Sequence, residues 1–257
     1  MNLASLLGQF TPGAKTHKIS IPPSWHQGRT SYGGLSSVLA YQAAKLAADD
    51  LPPLQSAQIA FVGPLAGDIE VSAHILRRGK NTAFIQVEVK GADGVGLTCN
   101  FIFMNRRESH LSYTKIAAPE FPPIPSADSV RSGPPEFFTG HMQYPDKRLE
   151  LGLATNRLAS WHRLTEHDGL NPIAELICIG DALPPSAMGL MTEKGMVSSM
   201  NWQINMLTDA PTTENGWWYL SSETHHAANG ASSQYMTVWN SRGDAVLTGI
   251  QAVAIFA

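Results

Sequence analysis

The stretches AFIQVEVKGADGVGLTCNFIFM (residues 83–104) and SSQYMTVWNSRGDAVLTGIQAVAIF (residues 232–256) read the same way. Each is an alternating strand, a polar turn that closes on a glycine, and a second strand that is more continuously apolar. Setting Gly94 against Gly243 gives an offset of 149 that also pairs Val89 with Val238. Upstream, Ile69, Val71, Ala73 and Ile75 alternate with polar residues, and residues 217–221 are their expected counterpart. A helix precedes the strands of each repeat. In the first half Gly33-Gly34 opens a segment whose Leu35, Val38, Leu39, Ala43 and Leu46 share a face, and Asp49-Asp50-Leu51-Pro52-Pro53 stops it. In the second, Pro172 stands early in a helix over IAELICIG, and a shorter helical stretch is expected at residues 184–190. One apolar helix followed by antiparallel strands, twice over, predicts an α+β chain made by duplication.

The repeats are separated by a run in which seven of the seventeen prolines fall within residues 119–145, too dense for a helix or a central strand. This divides the 257 residues into an N-terminal unit (1–112), a Pro-rich connector (113–145) and a C-terminal unit (146–257). With 43% hydrophobic and 15% charged residues, the chain has ample material for a core, and disorder is excluded. Eighteen Lys and Arg against twenty-one Asp and Glu leave a net charge of −3, which lacks the basic field that nucleic acid or anionic lipid would need. Cys99 and Cys178 lie in apolar runs and read as buried, reduced thiols. The amino terminus has no basic region before Lys15, and no run approaches the roughly 20 apolar residues of a membrane span. A cytoplasmic protein with no membrane partner is expected.

The chain has no G-x-S-x-G, P-loop, H-E-x-x-H or G-x-G-x-x-G signature. Nine histidines are present, but His162, His167 and the pair His225-His226 lack metal-ligand spacing, so neither a metal nor another cofactor is called for.

WHQGRTSYGGLSSVLAYQAA (25–44) and LQSAQIAFVGPLAGDIEVSAHILRRGKNTAFIQVEV (54–89), followed in order by IGDALPPS, GMVSSMNWQINML, WWYLSSET, VWNSRGD and VLTGIQAVAIF, resemble the acyl-CoA thioesterase II (TesB-like) family. The resemblance spans nearly the whole chain outside the connector. It implies a double hotdog, in which each unit wraps a curved antiparallel sheet around a helix, and hydrolysis of acyl-CoA to free acid and CoA within lipid metabolism. It also implies a homo-oligomer. The family's water-activating Asp, Ser or Thr, and Gln fall on Asp181, Ser199 and Gln251, separated by 18 and 52 residues. Where many members carry an Asp two positions beyond the hydroxyl residue, this chain has Asn201.

These residues suit that chemistry: a carboxylate accepts a proton from water, and a hydroxyl and an amide fix its orientation. Each also has a plainer use. Asp181 before Ala-Leu-Pro-Pro is a natural helix cap, and Ser199 can serve strand or turn backbone. Gln251 interrupts an apolar closing strand, and a buried Gln needs partners, so a polar site facing it is expected. By the repeat, Gln251 falls opposite Phe101 or Asn100, Ser199 opposite Ser56, and Asp181 near Tyr32 or Gly33. The first unit lacks the acid, so one competent site per chain is expected. Gly33 and Gly34 allow either a ligand or another backbone to approach the helix start. Arg77, Arg78 and Lys80 form a basic cluster that either attracts the CoA phosphates or is simply solvated. The helix from Leu35 to Leu46 and the pair Trp217-Trp218 suit an acyl tunnel or the core equally. Two other readings keep the fold: an enoyl-CoA hydratase built on His26 or His225, and a protein that binds acyl-CoA without turning it over.

Overall fold

The computed structural model describes residues 1–146 and 154–256. The start of the C-terminal unit expected at 146–257, namely residues 147–153, and the final Ala257 lie outside the described residues.

The first half contains α1 (Leu3–Leu7), β1 (Thr16–Ile21), the short hairpin strands β2 (His26–Gln27) and β3 (Thr30–Ser31), and α2 (Gly33–Lys45). It continues through β4 (Leu54–Phe61), β5 (Gly67–Arg78), β6 (Thr82–Gly91) and β7 (Gly94–Met104). The second half contains β8 (Val130–Arg131), β9 (Met142–Pro145), β10 (Arg157–Leu164) and α3 (Pro172–Gly180). It ends with β11 (Met196–Met206), β12 (Trp218–Ala228), β13 (Ala231–Trp239) and β14 (Ala245–Phe256). Twelve strands form one sheet in the order β1-β5-β6-β7-β4-β11-β14-β13-β12-β10-β9-β8, with every neighbouring pair antiparallel. Read outward from β4 and β11, the two halves repeat the same strand order. This is the α+β double hotdog that the resemblance implies. The turns ending at Gly94 and Gly243 are closed by glycines at φ 103° and 87°, in the left-handed region.

The inner face of the sheet and the two long helices share one core. α2 is buried on almost every side, from Gly34 to Ala44, so its faces are apolar or small rather than split into wet and dry stripes. α3 is buried from Ile173 to Gly180 and begins with Pro172 behind an Asn171 cap, whose side chain accepts from the N–H groups of Ile173 and Ala174 at 3.1 and 3.2 Å. The expected helix at 184–190 is a single 3-10 turn, Ser186–Gly189. The two helices meet where the start of α2 touches the end of α3. A Cβ on Gly34 would collide with the Cys178 carbonyl, and that same carbonyl accepts from the Tyr32 hydroxyl at 2.7 Å. Both cysteines are free and buried.

The halves are joined at β4 and β11, where five residue pairs from Asn201↔Ala60 to Asn205↔Ser56 continue the ladder. Ser56 donates to the Ile204 carbonyl across this seam at 2.8 Å. On the opposite sheet face, Trp161, Trp217, Tyr219 and Trp239 cluster with Phe121 of the proline-rich segment, and Trp161 Nε1 donates to the Pro122 carbonyl at 2.9 Å. Trp218 points the other way into the main core and donates to Glu175 at 3.0 Å. Trp217-Trp218 is therefore packing, not the lining of a tunnel. The prolines leave room only for short strands at the sheet edge, β8 and β9.

Replacing Gly34 with Ala drives a methyl group into a backbone carbonyl that cannot move without shifting α3. The expected loss, measured by urea unfolding, is about 1–3 kcal/mol.

Candidate active site

Asp181 ends α3, and Pro184 and Pro185 follow. Its side chain does not cap its own helix. It crosses to the start of α2, which has no side-chain cap of its own, and there meets the Gly34 backbone N–H. A Cβ on Gly33 would sit 2.6 Å from Asp181 Oδ2, so only glycine lets the carboxylate come this close. Gln251 Nε2 donates to Asp181 Oδ1 at 2.7 Å, and Ser199 Oγ donates to Gln251 Oε1 at 3.4 Å. The three residues proposed from sequence thus meet at one place. Burial pushes the Asp181 carboxyl up to about 7, against the opposing pull of the Gln251 and Gly34 donors. Neighbouring Tyr32 and Cys178 are held neutral, their pKa values raised by burial and further by the Asp181 charge.

A cleft of about 340 Å³ opens on this point. Asp181, Ser199 and Gly33 line it, with Ser36 and Phe61 beside them. Gln251 is 2% exposed and does not reach the cleft, so it acts on Asp181 and Ser199 from behind rather than on anything inside. Gly34 is also absent from the lining, since its missing side chain serves the helix contact. Arg77 and Arg78, expected at the CoA phosphates, stand elsewhere. They lie at the far end of β5, about 30 Å along the strand from its start beside the cleft. Arg78 is paired with Asp50 at 2.7 Å.

The basic residue that sequence reading missed is Arg29, which is exposed and lines the cleft. It sits in the β2–β3 hairpin, whose tight turn uses Gly28 at φ 68°. The hairpin is docked by Thr30 Oγ1, which accepts from the Leu65 N–H at 3.0 Å. The signal available in sequence was its position four residues before Gly33, at the positive end of α2. Asn201 does not line the cleft: its Oδ1 accepts from the Ala252 N–H at 2.9 Å, beside the bulge that skips Met200. Neither His26 nor His225 reaches the cleft. Among the described residues, no group of three or more His, Cys, Asp or Glu is placed to hold a metal. No helix among them is long and apolar enough to cross a membrane.

Strand pairing also fixes what the first half carries at equivalent positions. Val89 pairs with Leu97 as Val238 pairs with Leu247, which sets Phe101 against Gln251. β4 bulges at Gln55 as β11 does at Met200, which sets Leu54, not Ser56, against Ser199. The residue after α2 is Leu46, the counterpart of Asp181 in place of the expected Tyr32 or Gly33. Asp, Ser and Gln in one half thus answer to Leu, Leu and Phe in the other.

Residues 115–255 match the family described as acyl-CoA thioesterase C-terminal domain, and residues 21–104 the acyl-CoA thioesterase N-terminal domain. No curated protein matches the chain. Among solved structures, it is similar to a hot dog fold protein of unknown function from Alicyclobacillus acidocaldarius, with 18% identity, 99% and 98% of the two chains covered and a TM-score of 0.82. The tesB protein of Mycobacterium avium subspecies paratuberculosis gives 15% identity over 99% and 98%, with a TM-score of 0.78. An acyl-CoA thioesterase II of Mycobacterium marinum gives 14% identity over 100% and 98%, with a TM-score of 0.76.

A carboxyl at about 7 in the folded chain titrates near 3.8 when unfolded. The fold binds this proton more tightly, so its stabilising effect is full below pH 3.8 and is lost as pH rises through about 7. Asp181→Asn, which cannot ionise, should therefore melt several degrees above the wild type at pH 8 and converge with it below pH 4. Equal melting temperatures at pH 8 would contradict the burial of this carboxylate.

Proposed function

Because the chain belongs to the acyl-CoA thioesterase family and is by that membership a thioester hydrolase, we propose that its cleft hydrolyses acyl-CoA by direct attack of water held between Asp181 and Ser199. The observation that carries this reading is the Asp181 carboxylate on the cleft wall, beside the start of α2 and linked through Gln251 to Ser199. Ser199 gives its proton to Gln251, so its oxygen accepts from the water, while Asp181 accepts the water's other proton. The water's lone pair is left facing the thioester carbon. As the C–O bond forms, charge moves onto the carbonyl oxygen, and the N–H of Gly33, which lines the cleft at the first turn of α2, meets it. Collapse expels the CoA sulfur, which takes the proton back from Asp181, leaving free acid and CoA thiol. Gln251 is a positioning residue that fixes the carboxylate and hydroxyl relative to each other.

Arg29 replaces Arg77 and Arg78 as the residue that attracts the CoA phosphates, because among the described residues it is the basic side chain that lines the cleft. The placement of the protein in lipid metabolism and in the cytoplasm, and its assembly as a homo-oligomer, belong to the same reading. The open edge of β1 offers one surface for assembly. Light scattering on the full chain checks it, and a monomer at micromolar concentration would reject it.

The direct test is thiol release across acyl-CoA esters of graded length and branching. Asp181→Asn is expected to lower kcat by about 10²- to 10⁴-fold with the fold intact, and kcat/KM of the wild type should rise with pH through about 7 as Asp181 ionises. Full activity in the variant would reject the mechanism. Tight acyl-CoA binding without turnover would favour the non-catalytic alternative. For Arg29→Ala, KM for CoA esters should rise about tenfold, with no change for a thioester that carries no phosphate.

A further inference from the structure

Behind Gln251 lies a polar chain that hydrolysis as described does not use. Gln234 on β13 is the direct cross-strand partner of Gln251 on β14, and both face the core, at 1% and 2% exposure. The counterpart of this pair in the first half is Ile85 opposite Phe101. An apolar pair therefore satisfies the fold at this position, and burying two amides in its place costs solvation that only complete hydrogen bonding offsets.

The bonding has a fixed direction. The Ser186 backbone N–H donates to Gln234 Oε1 at 2.9 Å, and Gln234 Nε2 donates to Gln251 Oε1 at 2.7 Å. Gln251 Nε2 in turn donates to Asp181 Oδ1 at 2.7 Å. An amide side chain can be turned end for end, but a backbone N–H only donates. Ser186 thus requires an oxygen from Gln234, which leaves Gln234 a nitrogen to offer Gln251, which leaves Gln251 a nitrogen to offer Asp181. Ser186 is itself pinned: its hydroxyl lies 2.7 Å from Thr224 Oγ1 and receives a bond from the Ser222 hydroxyl at 3.1 Å, all fully or almost fully buried.

Resting on the reading of Asp181 as the base, we propose that Gln234 is a positioning residue that sets the orientation of the Gln251 amide and so keeps a hydrogen-bond donor on the Asp181 carboxylate. Without Gln234, the Gln251 amide is free to turn its oxygen toward Asp181, which removes the donor and disfavours the charged carboxylate. Asp181 is faced by Tyr32 from the start of α2 and by Cys178 from its own helix, and Arg29 lines the same cleft. Glu175, six residues back on α3, is also pushed up to about 7 by burial.

The test is the Gln234→Met variant, whose unbranched side chain keeps the volume and removes the hydrogen bonds. Carboxyl ¹³C NMR follows the Asp181 titration, with Asp181→Asn identifying its signal and separating it from Glu175. The midpoint is expected to rise by about one unit. At pH 7 the ionised fraction then drops from about one half to about one tenth, so kcat/KM falls roughly fivefold, recovers above pH 9, and KM stays unchanged. In a Gln251→Leu background, adding Gln234→Met should displace the midpoint no further, because Gln234 acts only through Gln251. An unmoved midpoint in Gln234→Met, or an equal displacement on top of Gln251→Leu, overturns the proposal. Should the variant not fold, the wild-type protein answers: the Gln251 side-chain NH₂ signal is expected to follow the Asp181 titration, and a Gln251 amide with its oxygen toward Asp181 would overturn it. A displaced NMR midpoint in a protein with no thioesterase turnover would reject the hydrolytic reading and leave the role of Gln234 intact.

Discussion

A carboxylate that no cation among the described residues pairs with is held where the start of one buried helix meets the end of another. That single arrangement constrains much of the molecule around it. Asp181 can stand there because α2 begins with two glycines, one leaving space for its oxygen and the other letting the α3 backbone come within contact. Tyr32 and Cys178 close the same junction, with the tyrosine hydroxyl bound to the cysteine carbonyl. The net result is a carboxyl whose proton affinity is set by burial and by neutral donors. Such donors respond little to salt, unlike an exposed ion pair.

Duplication explains how the junction arises and why it is used once. Both halves contribute a helix and the same set of strands, but each supplies a different end of its helix. The first half gives a helix start, whose Gly34 N–H meets the acid, and the second gives a helix end that carries the acid. At the positions where the second half has Asp181, Ser199 and Gln251, the first has Leu46, Leu54 and Phe101. Neither half holds a complete site, because most of the cleft wall comes from the first repeat while Asp181 and Ser199 come from the second.

The features legible in sequence were those governed by period and local chemistry. Alternation located the paired hairpins, the glycines at 94 and 243 marked their turns, and Pro172 located α3. Gln251 stood out as an amide in an apolar strand, and it does meet polar partners, Asp181 and Ser199 at the cleft and Gln234 in the core. What could not be read was anything decided by register. A one-residue bulge at Met200 and another at Gln55 shift which residues correspond, which is why Ser56 was matched to Ser199 when Leu54 is its counterpart. Arg77 and Arg78 were attractive as a cluster. However, a cluster on a long strand carries no information about which end of the strand faces the cleft, and Arg29 stood alone in a short hairpin. Gln234 lay within the very stretch that decided the fold, unnoticed, because its partner is defined by strand pairing and not by sequence distance.

The seam between β4 and β11 has one more implication. It is an ordinary ladder of five residue pairs in mid-sheet, continuous with a shared core, while the chain crossing from one half to the other runs through exposed residues around 105–115 without regular structure. The covalent link and the mechanical link are therefore in different places. A molecule divided in that exposed crossing would be two fragments with half a cleft each, and hydrolysis would become a reporter of their reassociation.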